Sequence, residues 1–163
     1  MARKGIDVYT AIWRMPVVEW RYTVASAEHR VKVREYHHGP GRRAFAKHLA
    51  AHFEKELRDL GVPDDQITIM REEGLGPENF NIHHKVPVHA FGTNDFSNLI
   101  LMPADLHSLV HQTIDEQGVC LMKTGETRLI QLPMPEGMVW NPACSQAPKP
   151  KPDFPVPVPP IPE

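Results

Sequence analysis

The chain has 163 residues, 41% of them hydrophobic, which suffices to bury the core of one domain, or of one domain with an appendage. It has a net charge of -2, no run of the roughly eighteen apolar residues that a bilayer crossing needs, and only two cysteines, Cys120 and Cys144. A membrane-spanning protein, a disulfide framework and a paired-cysteine zinc site are therefore not expected, and two ordinary thiols are the simpler reading. The net charge hides a division. Residues 1–58 carry 12 Lys and Arg against 6 Asp and Glu, whereas residues 59–163 carry 6 against 14. A basic half fits phosphate binding, although charge also varies along chains with no such meaning. The opening MARKGIDVYT lacks the apolar segment of a secretory signal, so export, if it occurs, is expected through a dedicated secretion system.

Residues 7–14 (DVYTAIWR) and 17–24 (VVEWRYTV) are rich in β-branched and aromatic residues and read as strands on either side of Pro16. Residues 30–36 (RVKVREY) alternate Val31 and Val33 with charged neighbours, the two-residue period of a half-buried strand. Together they predict an N-terminal β-meander with Arg30, Lys32 and Arg34 on one face, solvated by default or turned to phosphate. After a break at residues 37–41, RRAFAKHLAAHFEKELRDLG predicts a helix with Phe45, Leu49, Phe53, Leu57 and Leu60 in one stripe, ended by Gly61 and Pro63. Arg42 and Arg43 at its start put cations beside free backbone N–H groups, where a phosphate can sit; an exposed pair without a ligand is the alternative. His48 and His52 share a helical face but have no carboxylate or Asn partner set, and read as surface or boundary histidines. DDQITIMREE, 64–73, reads as a short helix closed by Gly74 in preference to a strand.

The segments 80–86 and 98–102 predict two strands, and 104–117 a helix closed by Gly118, with Pro103 suited to its first position. This is a β-hairpin with a long loop, followed by a helix. At i, i+4 spacing His107 and His111 project to one side of that helix and can share a metal, beside an apolar stripe of Leu106, Val110 and Ile114. His83 and His84 point to opposite faces of their strand, so one can complete a three-imidazole site while the other reaches toward a substrate or packs away. Beyond them VCLMKTGETRLIQL predicts a second hairpin turning at Thr124-Gly125-Glu126 and covering the core. From residue 146 onward 8 of 18 residues are Pro, which excludes helix and sheet and predicts an extended polyproline II arm: a linker, a groove ligand or an idle tail. The expected division is 1–62, a basic meander and helix supporting the core; 63–145, the core with its C-terminal hairpin; and 146–163, the tail.

The pattern His83-His84-x-x-Pro87, with Asn98 fourteen residues after the second His and His107-x-x-x-His111 beginning nine residues later, resembles the HNH endonucleases of the His-Me finger (ββα-metal) superfamily. It is especially similar to the nuclease domains of bacterial DNase colicins and related polymorphic toxins. The likeness covers residues 80–117. It implies an α+β fold with a ββα-metal core and one divalent metal ion. His83, His107 and His111 would be ligands, His84 the general base that activates water, and Asn98 the residue that holds the loop near that base. Imidazole ligands suit zinc, nickel, cobalt or manganese better than magnesium, although substrate phosphate and water could complete a magnesium site.

The implied activity is hydrolysis of DNA phosphodiester bonds with little sequence specificity, in an interbacterial toxin. Such a toxin would have DNA and an immunity protein as partners, no membrane partner, and a Pro-rich tail open to a secretion machine or carrier. It would act in the target-cell cytoplasm. Arg42, Arg43 and Lys85 are candidate phosphate contacts. Two other readings stand beside it: a housekeeping or phage HNH nuclease of restriction or packaging type, and a nucleic-acid-binding module with a structural metal and no turnover. A structural zinc normally needs a fourth ligand, usually Cys, and none is close in sequence. His89 reads as incidental, and the pair His37-His38 lacks a matching Asn and second His pair, so it is assigned no catalytic role. One departure stands out. DNase colicins carry glutamate where this chain has Asn81, so a carboxylate acting on the histidines is expected from elsewhere, with Glu72, Glu73 and Glu78 nearest in sequence.

Overall fold

The computed structural model describes residues 11, 12 and 14–142. The Pro-rich arm and residues 7–10 of the first expected strand lie outside them. Helices and two antiparallel two-stranded sheets make an α+β fold, and among the described residues no helix is long and apolar enough to cross a membrane.

The central segment folds locally as its periodicity dictates. Strands β2 (Phe80–His84) and β3 (Leu99–Pro103) pair antiparallel with Phe80 opposite Pro103 and His84 opposite Leu99. The helix Ala104–Asp115 follows at once. Pro103 keeps extended backbone (ψ 140°) and caps that helix rather than entering it, one residue before the expected place. All five residues of β3 are buried, and Leu106, Val110 and Ile114 carry the helix onto them. Residues 138–140 add a rung to β3: Leu101 N–H donates to Met138 O (2.9 Å) and Trp140 N–H to Leu101 O (2.8 Å).

The flanking segments depart from local expectation. Strand β1 (Val17–Thr23) forms, but its partner is β4 (Thr127–Pro133), Val17 opposite Pro133, and the described residues form no N-terminal meander. Ala11, Ile12 and Arg14 are helical, as is 30–36, which lies within α1 (Ala27–Tyr36). Ser26 explains the latter: its side chain accepts from His29 N–H at 3.2 Å and caps a helix with Glu28 in its first turn and Arg34 in its last. The alternating valines misled because neither is buried.

The second expected hairpin is also absent. Residues 119–121 form a single tight turn with Leu121 exposed, and the buried Gln117 takes the place of a partner strand beside Gln131. Its Nε2 donates to Gln131 O (2.8 Å) and its Oε1 accepts from Gln131 N–H (2.8 Å).

The long helix expected after residue 41 is two, α2 (Arg42–His52) and α3 (Glu54–Leu60), broken at Phe53 (φ −128°, ψ 32°). The break leaves Phe53 half-buried and keeps Phe45, Leu49, Leu57 and Leu60 in the core. Helix α4 (Asp64–Glu73) ends on left-handed Gly74 as predicted and packs on α2. The helix after β3, Ala104–Asp115, is thus α5. One continuous apolar core joins α2, α3 and α4 to β3, α5 and the β1–β4 pair.

The loop between β2 and β3 turns at Gly92, whose N–H donates to Pro87 O (2.9 Å). A Cβ there would collide with the carbonyl oxygen of Val86 and lie 2.7 Å from the Pro87 carbonyl. Because only backbone stands in the way, Gly92→Ala is expected to destabilise the protein by about 1–3 kcal/mol, read as a lower urea midpoint.

Candidate metal centre and adjoining cleft

Strand alternation and the helical repeat converge on one point. His83 turns inward from β2 and is fully buried, with its ring 5.3 Å from that of His107 and 5.5 Å from that of His111. The Nε2 atoms of His107 and His111 stand 2.9 Å apart. One nitrogen from each of the three imidazoles lies within 4.8 Å of the others, so the cluster could hold a metal ion. A second observation supports that fit: both ring nitrogens of His83 are buried without a hydrogen-bond partner among the described residues. Leaving such a group unbonded costs about 1–3 kcal/mol, whereas a ligand position satisfies it.

His107 Nδ1 is 3.1 Å from the side-chain nitrogen of Asn81. Turning the amide by half a revolution would present Oδ1 to an Nδ1–H, the outer bond that orients a metal-ligating imidazole. Asn81, the residue at the position of the colicin glutamate, is thus the group beside His107 Nδ1. Glu72, Glu73 and Glu78 are exposed and bond to none of these histidines. The carboxylate that does influence the cluster is Asp115, one turn beyond His111, which lines the same clefts and pulls the His111 pKa upward. Asp115 follows His107 and His111 at the same four-residue step, a helical ladder visible in the sequence that marks it as a neighbour of the cluster.

His84 faces the other way, with its ring 4.5 Å from that of His37. Its Nε2 is 2.9 Å from Asn94 Oδ1, and Asn94 Nδ2 donates to Val33 O at 2.9 Å. Because that carbonyl can only accept, the Asn94 amide is turned with its oxygen toward His84, which must then donate from Nε2. The lone pair is left on Nδ1. Nothing local in the sequence marks Asn94, since its partners are distant.

Asn98 ties the loop. It accepts from Val86 N–H (2.9 Å) and donates to Val86 O (3.1 Å) and Thr93 O (3.0 Å), while its own carbonyl accepts from Lys85 N–H (2.8 Å). His89 Nδ1 is 2.6 Å from Tyr22 Oη, and burial keeps that phenol protonated.

His84, His107 and His111 line one cleft of about 500 Å³, and His37, His38, His89 and Arg34 line it too. Arg42 and Arg43 line its neighbour. Lys85 lines neither; burial lowers its pKa against the pull of Glu136. Away from the clefts, His48 packs on Phe96 and Phe53 and the exposed His52 packs on His48, a boundary and a surface histidine.

Burial, more than any neighbour, pushes all four site imidazoles below their usual pKa. His83 goes well below it, His107 to about 4, and His111 and His84 also fall, the last with the Asn94 bond opposing the shift. All four are neutral at neutral pH, the form that binds metal or accepts a proton.

No protein-family model matches the chain, and no solved structure matches it. Over 70 residues it is 30% identical to the uncharacterized protein YhhZ of Escherichia coli (strain K12), a stretch covering 43% of this chain. The chain matches 18% of that protein's length. The likeness carries no statement of activity.

Two expectations follow. In a competition titration with a chromophoric chelator, the protein binds zinc or nickel, and His83→Ala weakens binding by more than the roughly 10- to 100-fold that loss of an outer partner costs, whereas His52→Ala has no effect. In the metal-free protein, the unfolded chain takes up protons first as pH falls, because the folded-state pKa of His107 is about 4 against an ordinary 6.5. Its contribution to stability is therefore complete above about pH 6.5 and lost toward pH 4. The urea midpoint should drop across that window, and less steeply in His107→Asn.

Proposed function

We propose that the protein is a metal-dependent endonuclease with a ββα-metal core, hydrolysing DNA phosphodiester bonds with little sequence specificity. One observation carries the reading: adjacent residues of a single strand divide two tasks. His83 faces the three-imidazole cluster, and His84 faces away from it into the cleft that His107 and His111 also line. A structural metal calls for a closed set of four ligands, whereas the cluster among the described residues has three and borders open space. That contrast favours catalysis over a binding module.

A divalent ion held by His83, His107 and His111 would supply positive charge to the phosphate oxygens as a Lewis acid. The chain's own groups do the rest. His84 Nδ1 takes a proton from water as the water oxygen bonds to phosphorus. The P–O3′ bond breaks, and the 3′-oxygen takes a proton from solvent. Asn94 holds the imidazole in the tautomer that leaves Nδ1 basic, and Asn98 keeps the loop in register with it. The low pKa of His84 keeps the base unprotonated at neutral pH. On the resemblance to DNase colicins, the same reading makes the protein an interbacterial toxin that an immunity protein neutralises.

Plasmid DNA tests the chemistry. Wild-type protein should nick supercoiled plasmid with added divalent metal and stop on chelation. His84→Ala should still bind metal and lose about 10²- to 10⁴-fold in rate, the usual share of a general base. Asn94→Ala should lose about 10- to 100-fold through misorientation alone. Full cleavage by His84→Ala would remove the base from the mechanism.

A further inference from the structure

The cleft of about 500 Å³ that holds His84 and His111 does not end at the metal cluster. His37, His38, Ile82 and His107 line it on one side and line a second cleft of about 530 Å³ on the other. The two spaces thus meet at a ridge, His37–His38, with His107 common to both. Arg34 lines the first, and Arg42 and Arg43 line the second.

These arginines are exposed, and none is in an ion pair among the described residues, whose ion pairs involve Lys55, Arg58 and Arg71. Among the described residues no carboxylate lines the second cleft, and only Asp115 lines the first. Three cations around one site with so little compensation repel one another and favour a polyanion. Arginine in particular presents a donor fork that matches phosphate.

The backbone beneath them is fixed. Between α1 and α2 the wide turn His37–Gly41 breaks at Gly39, and Gly41 packs so tightly on Tyr36 that a Cβ would lie 2.9 Å from its ring. A Cβ on Gly74 would lie 2.9 Å from Arg43 O, so α4 abuts the start of α2 just as closely. The turn therefore fixes the backbone from which Arg34 reaches the first cleft and the Arg42–Arg43 pair the second.

We infer that Arg34 on one side and Arg42 and Arg43 on the other bind the backbone phosphates flanking the phosphodiester at His84 and His107, so that the DNA strand crosses the His37–His38 ridge and occupies both clefts. This rests on the nuclease reading and adds to it a two-sided substrate track. Phosphate contacts fix register without reading bases, in keeping with weak sequence preference.

The test is the salt dependence of binding. In a His84→Ala background with metal present, a fluorescein-labelled mixed-sequence duplex is titrated by anisotropy at several salt concentrations. Each phosphate contact contributes about 0.9 to the slope of log K against log salt, so Arg42→Ala/Arg43→Ala should flatten the slope by about 1–2, and Arg34→Ala by about 1. Arg42→Lys/Arg43→Lys should keep the parent slope, and unchanged metal binding shows that each variant is folded. Unaltered slopes in folded alanine variants overturn the track and leave the nuclease standing if the parent with His84 intact nicks plasmid. If that parent neither binds nor nicks DNA, the nuclease reading falls and the track with it.

Discussion

A fully buried imidazole, neither of whose nitrogens has a hydrogen-bond partner among the described residues, is the constraint around which the rest of the site is arranged. His83 stands in β2 opposite Ile100 of the wholly buried β3, so its inward direction is set by the same pleat that seals the core. Burial favours its neutral form, and the cluster keeps it close to the paired Nε2 atoms of His107 and His111, held 2.9 Å apart on α5. A metal ion would turn an unfavourable burial into a bond. Without one, burial still favours the neutral form of all three imidazoles.

The inward turn of His83 fixes the outward turn of His84, and two asparagines then settle what His84 can do. Asn98 clamps both ends of the loop through backbone groups of Val86 and Thr93. Asn94, carried by that loop, spans from His84 to the Val33 carbonyl of α1. The basic N-terminal half is thereby joined to the imidazole by hydrogen bonds as well as by ring packing of His37 on His84. The division of charge along the chain acquires a spatial meaning, because Arg34, Arg42 and Arg43 come from that half and border clefts that His107 shares.

Sequence reasoning succeeded where a feature depends on neighbours within one turn or one strand. The β2–β3 hairpin, α5, α4 and the stripe of α2 and α3 follow from apolar period and glycine stops. It failed at α1, where two alternating valines in a polar stretch outweighed the Ser26 cap, and at 119–132, where the cross-strand partner lies more than a hundred residues away. His37 has no motif around it in the sequence, yet the wide turn at Gly39 brings its ring to 4.5 Å from that of His84. Asn81, judged by what it replaces, proved to be the group on His107 Nδ1.

The sequence by itself determined which imidazoles can act together, since i, i+4 spacing and strand alternation are properties of the local backbone. Tertiary structure alone decided which side of His84 is free, which strand completes the β1 sheet, and which arginines border the clefts. Those outcomes rest on contacts between residues such as Val33 and Asn94, or Val17 and Pro133, whose meeting depends on how the whole core closes and leaves no periodic trace in either segment.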